Sequence, residues 1–271
     1  MPQTRLPSTS SGRSTTITAW ACSIAGRIGS RSELRVLSMR GFAANSRVPV
    51  ARWAISTSGA GPSATYGSFM CLDQLWIDPR VFGISIAEAR SLDPQQNLVL
   101  CVGYDALRRG GDFALSADAA TVRGALTNAD IGVFVGVEAS GLSAHGQEAN
   151  VFSASGGALS VTSGRLSYSL GLVGACYSID TACASTLAAL HTCVVTLDAN
   201  GECESGVGVG TKVLSEVANM ATSIGGMTSS CGRCHTFDLR ADGYCRGEGC
   251  GAFLATTSRS SNGVAILGSA V

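Results

Sequence analysis

The stretch IDTACASTLAALHTCVVTL, residues 179–197, decides how this 271-residue chain is interpreted. Leu187, Leu190, Val194 and Leu197 recur at spacings of three, four and three, which is the period of one helix face. This period predicts a helix over 184–197 that buries those four side chains. The polar turn before the helix then delivers Cys183 to the first turn of a packed helix.

A cysteine in this position has the surroundings of a nucleophile. Unpaired backbone N–H groups and the positive end of the helix dipole favour the thiolate over the thiol. A free cysteine, with a pKa of about 8.5, is mostly protonated at neutral pH, so this placement increases the reactive form. The local pattern alone is more typical of a cysteine that packs inertly at a buried helix start, and both interpretations stay open at this point.

Short apolar runs on both sides of this helix predict the strands of a sheet. IGVFVGV, residues 131–137, is rich in β-branched residues and bounded by polar ones, as in a buried strand. Similar runs occupy 207–213, 251–255 and 264–271.

A further helix is predicted upstream of these strands. Asp93 provides an N-cap, Pro94 a first helical residue and Gln96 the third position of a capping box. Gly110 and Gly111 should end this helix after about Arg108. Strands that alternate with helices indicate an α/β domain with a mixed or mostly parallel sheet.

The charge distribution argues against nucleic acid as a partner. Lys and Arg number 19, as do Asp and Glu, so the formal net charge is zero. Residues 1–52 hold eight Arg and one Glu, which leaves 11 basic and 18 acidic residues downstream. The larger part of the chain therefore has no basic excess with which to hold a phosphate backbone.

Apolar runs, cysteines and the N-terminal composition bear on where the protein resides. No apolar run approaches the roughly 18 residues that a membrane-spanning helix needs, so we expect no membrane span. Eleven Cys, an odd number, without a signal-peptide pattern indicate a reducing compartment, and we expect a cytoplasmic protein. Residues 1–16 are rich in Ser, Thr and Pro, which predicts a disordered segment or the start of an organelle targeting sequence.

Five blocks of sequence resemble the β-ketoacyl synthases, specifically the ketosynthase domain of type I polyketide synthases and their fatty-acid relatives. The blocks follow the family order: Arg52-Trp53, YGSF at 66–69, FGISIAEARSLDPQQ at 82–96, DTACAST at 180–186 and GRCHTFDLRADGYCRGEGCGAF at 232–253. The resemblance implies a domain over 17–271 that forms the N-terminal half of the thiolase-like layered α/β/α/β/α fold.

The same resemblance implies a chemistry. It makes Cys183 the residue that accepts an acyl chain as a thioester, for decarboxylative Claisen condensation with a malonyl-type extender. The acyl chain would arrive on the phosphopantetheine arm of an acyl carrier protein, which is the implied partner. The family has no bound cofactor or metal at this site and forms a homodimer through its N-terminal half.

The family's two catalytic His lie in HGTGT-type and NxGH-type motifs of its second half, and neither motif occurs in residues 1–271. His145, His191 and His235 have no sequence-local pairing with Cys183, and we interpret them as structural or surface residues. We therefore expect that a C-terminal half is missing, together with the groups that promote decarboxylation and stabilise developing charge.

Two functional hypotheses follow. In the first, the protein is an acyltransferase that joins acyl units, and this chain carries its nucleophile half. In the alternative, it is a truncated, condensation-inactive relic that dimerises or docks a carrier protein.

Three other motifs in the sequence resemble binding sites of different kinds. Cys231, Cys234, Cys245 and Cys250 offer enough thiols for a tetrahedral zinc site, but the blocks that contain them are family landmarks without metal. Residues 247–252 fit G-x-G-x-x-A, yet they precede a predicted strand and open no helix, so a dinucleotide site is not expected. Residues 206–210 alternate Gly and Val with Lys212 nearby, but they do not fit the G-x-x-x-x-G-K pattern of a phosphate-binding loop and instead predict a strand with glycines for close packing.

Overall fold

The computed structural model describes residues 15–20, 70, 77–110, 118–140, 150–197, 202–230, 232–257 and 264–266. Several features singled out above lie outside these residues. They are the segment 1–14, the blocks at 52–53 and 66–69, His145, Cys231 and the end of the last apolar run at 267–271.

Strands and helices alternate along most of the described chain. The strands are β1 (Thr15–Trp20), β2 (Ile131–Val137), β3 (Cys176–Ile179), β4 (Ser205–Lys212), β5 (Gly249–Thr256) and β6 (Val264–Ile266). The helices are α1 (Pro79–Phe82), α2 (Ile86–Ser91), α3 (Pro94–Gly110), α4 (Ala119–Leu126), α5 (Ser153–Gly156), α6 (Thr162–Leu170), α7 (Ser185–Val195) and α8 (Glu216–Ile224). Short 3-10 turns at Leu159–Val161 and Ala182–Ala184 precede α6 and α7.

In the described residues the strands form one six-stranded sheet in the order β3-β2-β4-β5-β1-β6. β2 pairs in parallel with β3 and β4, whereas the pairs β4–β5, β5–β1 and β1–β6 are antiparallel. The predicted mixed sheet is therefore confirmed. The run 131–137 coincides with β2, the runs 207–213 and 251–255 differ from β4 and β5 by one or two residues at each end, and β6 begins at the start of the last run. No helix in these parts of the chain is long and apolar enough to cross a membrane.

The two faces of the sheet carry different side chains, because the glycines of β2 pair with glycines of β4. Gly132 lies opposite Gly206 and Gly136 opposite Gly210, while the valines between them also pair across the strands. The valines point into the main core, which α3, α4 and α6 cover. The glycines lie on the opposite face, where β-carbons added at Gly136, Gly206 and Gly210 would collide with the backbone and small side chains of α7.

This register corrects the predicted buried face of α7. The helix buries Ser185, Ala189, Cys193 and Val194, whereas Leu187 is 65% exposed. Small residues at a spacing of four contact the glycine face because the helix lies too close to the strands for leucine. The prediction was therefore wrong at Leu187, although Val194 and Leu197 are buried as expected.

The start of α3 agrees with its predicted N-cap but not with the capping box. The Gln95 N–H donates to Asp93 Oδ1 at 2.7 Å, as an N-cap requires. The Gln96 side chain does not accept the Asp93 N–H, as a capping box requires; its Nε2 donates to the Ser155 carbonyl at 3.0 Å. The Asp93 N–H donates to the Gly156 carbonyl instead, because the chain at α5 lies against the start of this helix.

Candidate functional site

Cys183 lies in a tight turn that joins β3 to α7. The carboxylate of Asp180 accepts the Ala182 N–H at 3.0 Å. The Ser185 hydroxyl accepts the Thr181 N–H at 2.9 Å and donates to the Ala182 carbonyl at 2.7 Å. These bonds hold Ala182 at a φ of 54°, in the left-handed region, which costs a non-glycine residue about 1–2 kcal/mol. The turn is thus strained, and local side chains fix it.

The turn presents the Cys183 thiol to the outside. The side chain is exposed, in contrast with Cys193 on the same helix, which is buried against the sheet. Among the hydrogen bonds of the described residues, none uses the Cys183 backbone N–H. An N–H group of this kind at the start of a helix can stabilise negative charge that develops beside the sulfur.

The first turn of α7 rests on the carboxyl ends of β2 and β4. A β-carbon on Gly136 would lie 2.5 Å from the Ser185 carbonyl carbon and from the Thr186 nitrogen. A β-carbon on Gly210 would lie 2.2 Å from the Thr186 hydroxyl oxygen. The two glycines therefore set how closely the helix that follows Cys183 approaches the sheet.

The buried Gln95 and a partly exposed ion pair, neither of which was predicted from the sequence, fix the same ends of β2 and β4 against α3. Gln95 donates through Nε2 to the Glu138 carbonyl at 2.9 Å and accepts the Val213 N–H at 2.9 Å. Lys212 Nζ lies 2.6 Å from Glu138 Oε2. Gln95 bonds to Glu138 and Val213, the residues that directly follow β2 and β4. It therefore fixes the ends of these two strands relative to each other, next to the turn that carries Cys183.

Two buried carboxyl groups extend this arrangement. Asp93 accepts hydrogen bonds from the Ser140 hydroxyl and the Gln95 N–H. Burial raises the pKa of Asp93, against the opposing effect of these donors and of Lys212. Glu248, which is 8% exposed, accepts the Met70 N–H at 2.8 Å and the Leu214 N–H at 3.0 Å. The N-cap role of Asp93 was indicated by the local sequence, whereas its bond to Ser140 and both bonds of Glu248 join residues that are distant in sequence and that no local pattern could indicate.

Neither of the described histidines, His191 and His235, is adjacent to Cys183 in the sequence, where it could act as a neighbouring general base. His191 follows Cys183 by eight residues along α7, which corresponds to ~12 Å along a helix axis. His235 lies in the segment between α8 and β5, where its carbonyl accepts the Asp238 N–H at 3.0 Å.

The rival motifs also have observed positions. Cys234 and Cys245 are neighbours, whereas Cys250 lies in β5 and packs against the core. In the ranges that the structure describes, no three His, Cys, Asp or Glu side chains are grouped as metal ligands. Residues 247–252 lead into β5 and open no helix, so they lack the context of a dinucleotide site.

Comparison with known proteins identifies relatives of this chain. The family model described as beta-ketoacyl synthase, N-terminal domain, matches residues 13–259. The 5-methylorsellinic acid synthase of Aspergillus terreus is 39% identical over 193 residues, which cover 69% of this chain and 7% of that protein. The polyketide synthase GfsB of Streptomyces halstedii is 36% identical over 251 residues, which cover 88% of this chain and 4% of that protein.

The solved structures that resemble this chain include ketosynthase domains. The ketosynthase from module 6 of the bacillaene synthase of Bacillus subtilis superposes with a TM-score of 0.61 at 27% identity, covering 77% of this chain and 34% of that one. An oxazolomycin ketosynthase domain from Streptomyces albus superposes with a TM-score of 0.57 at 30% identity, covering 70% and 33%. The expected thiolase-like α/β architecture is confirmed, and the chain spans about a third of the length of these solved domains.

Proposed function

This chain belongs to the β-ketoacyl synthase family, as a ketosynthase N-terminal domain of the polyketide synthase type, and from this premise we propose that Cys183 is its acyl-accepting nucleophile. In the proposed reaction, the Cys183 thiolate attacks the thioester carbonyl of an acyl chain on a phosphopantetheine arm. The arm leaves as its thiolate, and the acyl chain remains on Cys183 as a new thioester. Condensation with a malonyl-type extender would then consume this thioester. The relic hypothesis is not favoured, because the matched relatives are polyketide synthases.

The observation that carries the proposal is the strained, hydrogen-bonded turn that presents an exposed Cys183 at the start of α7. Attack on the thioester places negative charge on the carbonyl oxygen. The Cys183 N–H, which is unused among the described hydrogen bonds, is a donor for that oxygen. The positive end of α7 adds to the same stabilisation.

Acyl transfer to Cys183 can be tested without the condensation step. The full chain is incubated with a limiting acyl thioester of N-acetylcysteamine, which reproduces the end of the phosphopantetheine arm. We expect the acyl mass on Cys183, and its loss in Cys183→Ala. Trypsin leaves Cys176, Cys183, Cys193 and Cys203 in one peptide, 166–212, so fragment spectra are needed to assign the site. Acylation of Cys176 at the same rate as Cys183 would refute the proposed role.

We further propose that a second copy of the chain pairs along β3. This strand lies at one end of the sheet, and in the described residues it pairs only with β2. Cys176 in β3 is exposed, Tyr177 is 44% exposed, and the nearby Val173 is 60% exposed. An unpaired apolar strand edge is a template for another strand, and a two-fold axis would pair it with its own copy.

The proposed dimer predicts a charge effect at the strand edge. Cys176→Lys would place two like charges close together across the two-fold axis, so we expect the dimer to dissociate a few-fold more readily. Val151→Lys, at a side chain that is 87% exposed beside α5, is the matched control and should leave the dimer intact. Sedimentation velocity over a concentration series measures both. An unchanged dimer in Cys176→Lys would exclude β3 as the interface.

A further inference from the structure

Cys234 and Cys245 lie against each other in the segment between α8 and β5. We propose that these two cysteines are a redox modification site, which closes to an intramolecular disulfide on reaction with a low-molecular-weight disulfide. This site is separate from the proposed acylation of Cys183 and does not depend on it.

The chain brings the two cysteines together through a short ladder. Tyr244 donates its N–H to the Met227 carbonyl and accepts the Ser229 N–H, both at 3.0 Å. Residues 227–229 and Tyr244 therefore lie side by side, shortly before Cys234 and Cys245 along the chain. The Arg233 N–H donates back to the Ser229 hydroxyl at 3.3 Å, which turns the chain toward Cys245.

The sulfur of Cys234 touches the backbone of Cys245. The Cys245 N–H donates to Cys234 Sγ at 3.2 Å. Since an N–Cα bond is ~1.46 Å, the Cys245 Cα lies no more than ~4.7 Å from that sulfur. A sulfur this close to the backbone of the partner cysteine is compatible with the separation of about 4.4–6.8 Å between the two Cα atoms of a disulfide. The Cys245 sulfur now faces the Arg246 carbonyl at 3.7 Å, so the proposed bond requires this side chain to rotate about χ1 toward Cys234.

The two thiols have different surroundings, which gives the reaction an order. Cys234 is exposed and open to a small molecule, whereas Cys245 is half-buried. Burial raises the pKa of Cys245, and the nearby Cys234 raises it further, while Arg233 acts in the opposite direction. Cys234 is therefore the residue that reacts first, and Cys245 is the residue that resolves the intermediate.

The step balances with a disulfide such as oxidised glutathione as the oxidant. The Cys234 thiolate attacks one glutathione sulfur, breaks the S–S bond and releases one glutathione thiolate. Cys245 then loses its proton and attacks Cys234 Sγ, which releases the second glutathione thiolate. Two protein thiols are oxidised, one glutathione disulfide is reduced, and the two thiol protons pass to the two glutathiones.

Trypsin separates the relevant cysteines, which makes the test direct. Cleavage after Arg233, Arg240 and Arg246 places Cys231, Cys234, Cys245 and Cys250 on four different peptides. The full chain is treated with oxidised glutathione, remaining thiols are alkylated, and linked peptides are quantified without reduction. We expect the link between peptides 234–240 and 241–246 to exceed any other pair at least tenfold, and to disappear with dithiothreitol.

Variants test the proposed order. Cys245→Ser should accumulate glutathione on Cys234, whereas Cys234→Ser should leave Cys245 free of glutathione. Cys176→Ser, which removes an exposed cysteine elsewhere, should not change the link. The same treatment in denaturant should remove the preference, which shows that the fold creates it. A native chain in which Cys234 links to Cys231 or Cys250 as readily as to Cys245 would overturn the proposal.

Discussion

The backbone of Gly136 lies directly beneath that of Thr186, so that a β-carbon on the glycine would stand 2.5 Å from the threonine nitrogen. Gly136 belongs to β2 and Thr186 to the first turn of α7, three residues after Cys183. The contact is between backbone atoms, which cannot rotate away as a side chain can. The sheet and the turn that presents Cys183 therefore keep their spacing only while this position is glycine.

Gly136→Ala tests this spacing. The added methyl group must push the first turn of α7 away from the sheet, and overpacking of this kind costs about 1–3 kcal/mol. We expect a lower free energy of unfolding in chemical denaturation. We also expect slower acylation of Cys183, because the turn that holds it moves with the helix.

The matched control for this change is Gly124→Ala in α4. A β-carbon on Gly124 would meet no atom within 4 Å. Alanine is favoured over glycine inside a helix by about 0.5–1 kcal/mol, so this variant should be slightly more stable than the wild type. If both variants retain full acylation and stability, the close approach at Gly136 does not position Cys183.

The glycine contact also shows why part of the fold could be predicted from the sequence. The strand over 131–137 and the polar turn at Asp180 depend on local residue types, and both were predicted correctly. The buried face of α7 depends on which residues of β2 and β4 stand opposite each other. Helix periodicity assumes ordinary side chains beneath the helix, and for that reason it placed Leu187 in the core.

The buried polar groups beneath the turn were not predictable for a related reason. Gln95 bonds to the Val213 N–H across 118 positions of sequence, and Glu248 bonds to the Met70 N–H across 178. A glutamine near a helix start has an obvious local use in a capping box, which is the role expected for Gln96. Only the folded chain shows that the neighbouring Gln95 holds two strand ends together instead.

Cys101 should react slowly with alkylating reagents. Burial and the nearby Asp105 raise the pKa of Cys101 in α3 to about 11. Since only the thiolate reacts, alkylation at pH 8.5 should be ~100-fold slower than for a free cysteine and should rise with pH until about pH 11. Tryptic peptide 91–108 contains Cys101 as its single cysteine, so iodoacetamide labelling can be followed on it alone.

Asp105→Asn provides the check on this assignment. Removal of the carboxylate should lower the Cys101 pKa and speed its labelling at pH 8.5, while burial keeps it slower than a free thiol. Rapid labelling of Cys101 in the wild type at this pH would contradict its raised pKa.

Large apolar side chains near α8 predict self-association of the 271-residue chain on its own. Phe237 and Leu239 are fully exposed, and Ile224 is 63% exposed. Exposed apolar surface of this kind drives association. We expect species larger than a dimer in light scattering, and fewer of them in a Phe237→Ser, Leu239→Ser double variant.

Ile86 and Val151, which are 63% and 87% exposed, serve as the control pair because they lie on the α2 and α5 side of the chain. Changing both to Ser should have a smaller effect on the size distribution. A wild-type chain that is monodisperse at high concentration would show that Phe237 and Leu239 do not act as an association surface.

Asp242 predicts how the segment between α8 and β5 responds to acid. Hydrogen bonds from the hydroxyls of Ser229 and Ser230 and from the Ser230 N–H lower the pKa of Asp242 to about 2. An unfolded aspartate titrates at about 3.9, so the folded chain binds its proton less readily. The stabilisation is therefore complete above about pH 4 and is lost as the pH falls toward 2.

In hydrogen exchange corrected for intrinsic rates, the Ser230 amide should stay protected at pH 4 and lose protection progressively below it. In Asp242→Asn, the Ser230 amide should exchange faster at pH 4 and show no such pH dependence. Glu204→Gln, which removes one negative charge at another exposed residue, is the control and should behave as the wild type. Equal Ser230 protection in wild type and Asp242→Asn at pH 4 would show that this carboxylate does not close the segment that carries Cys234 and Cys245.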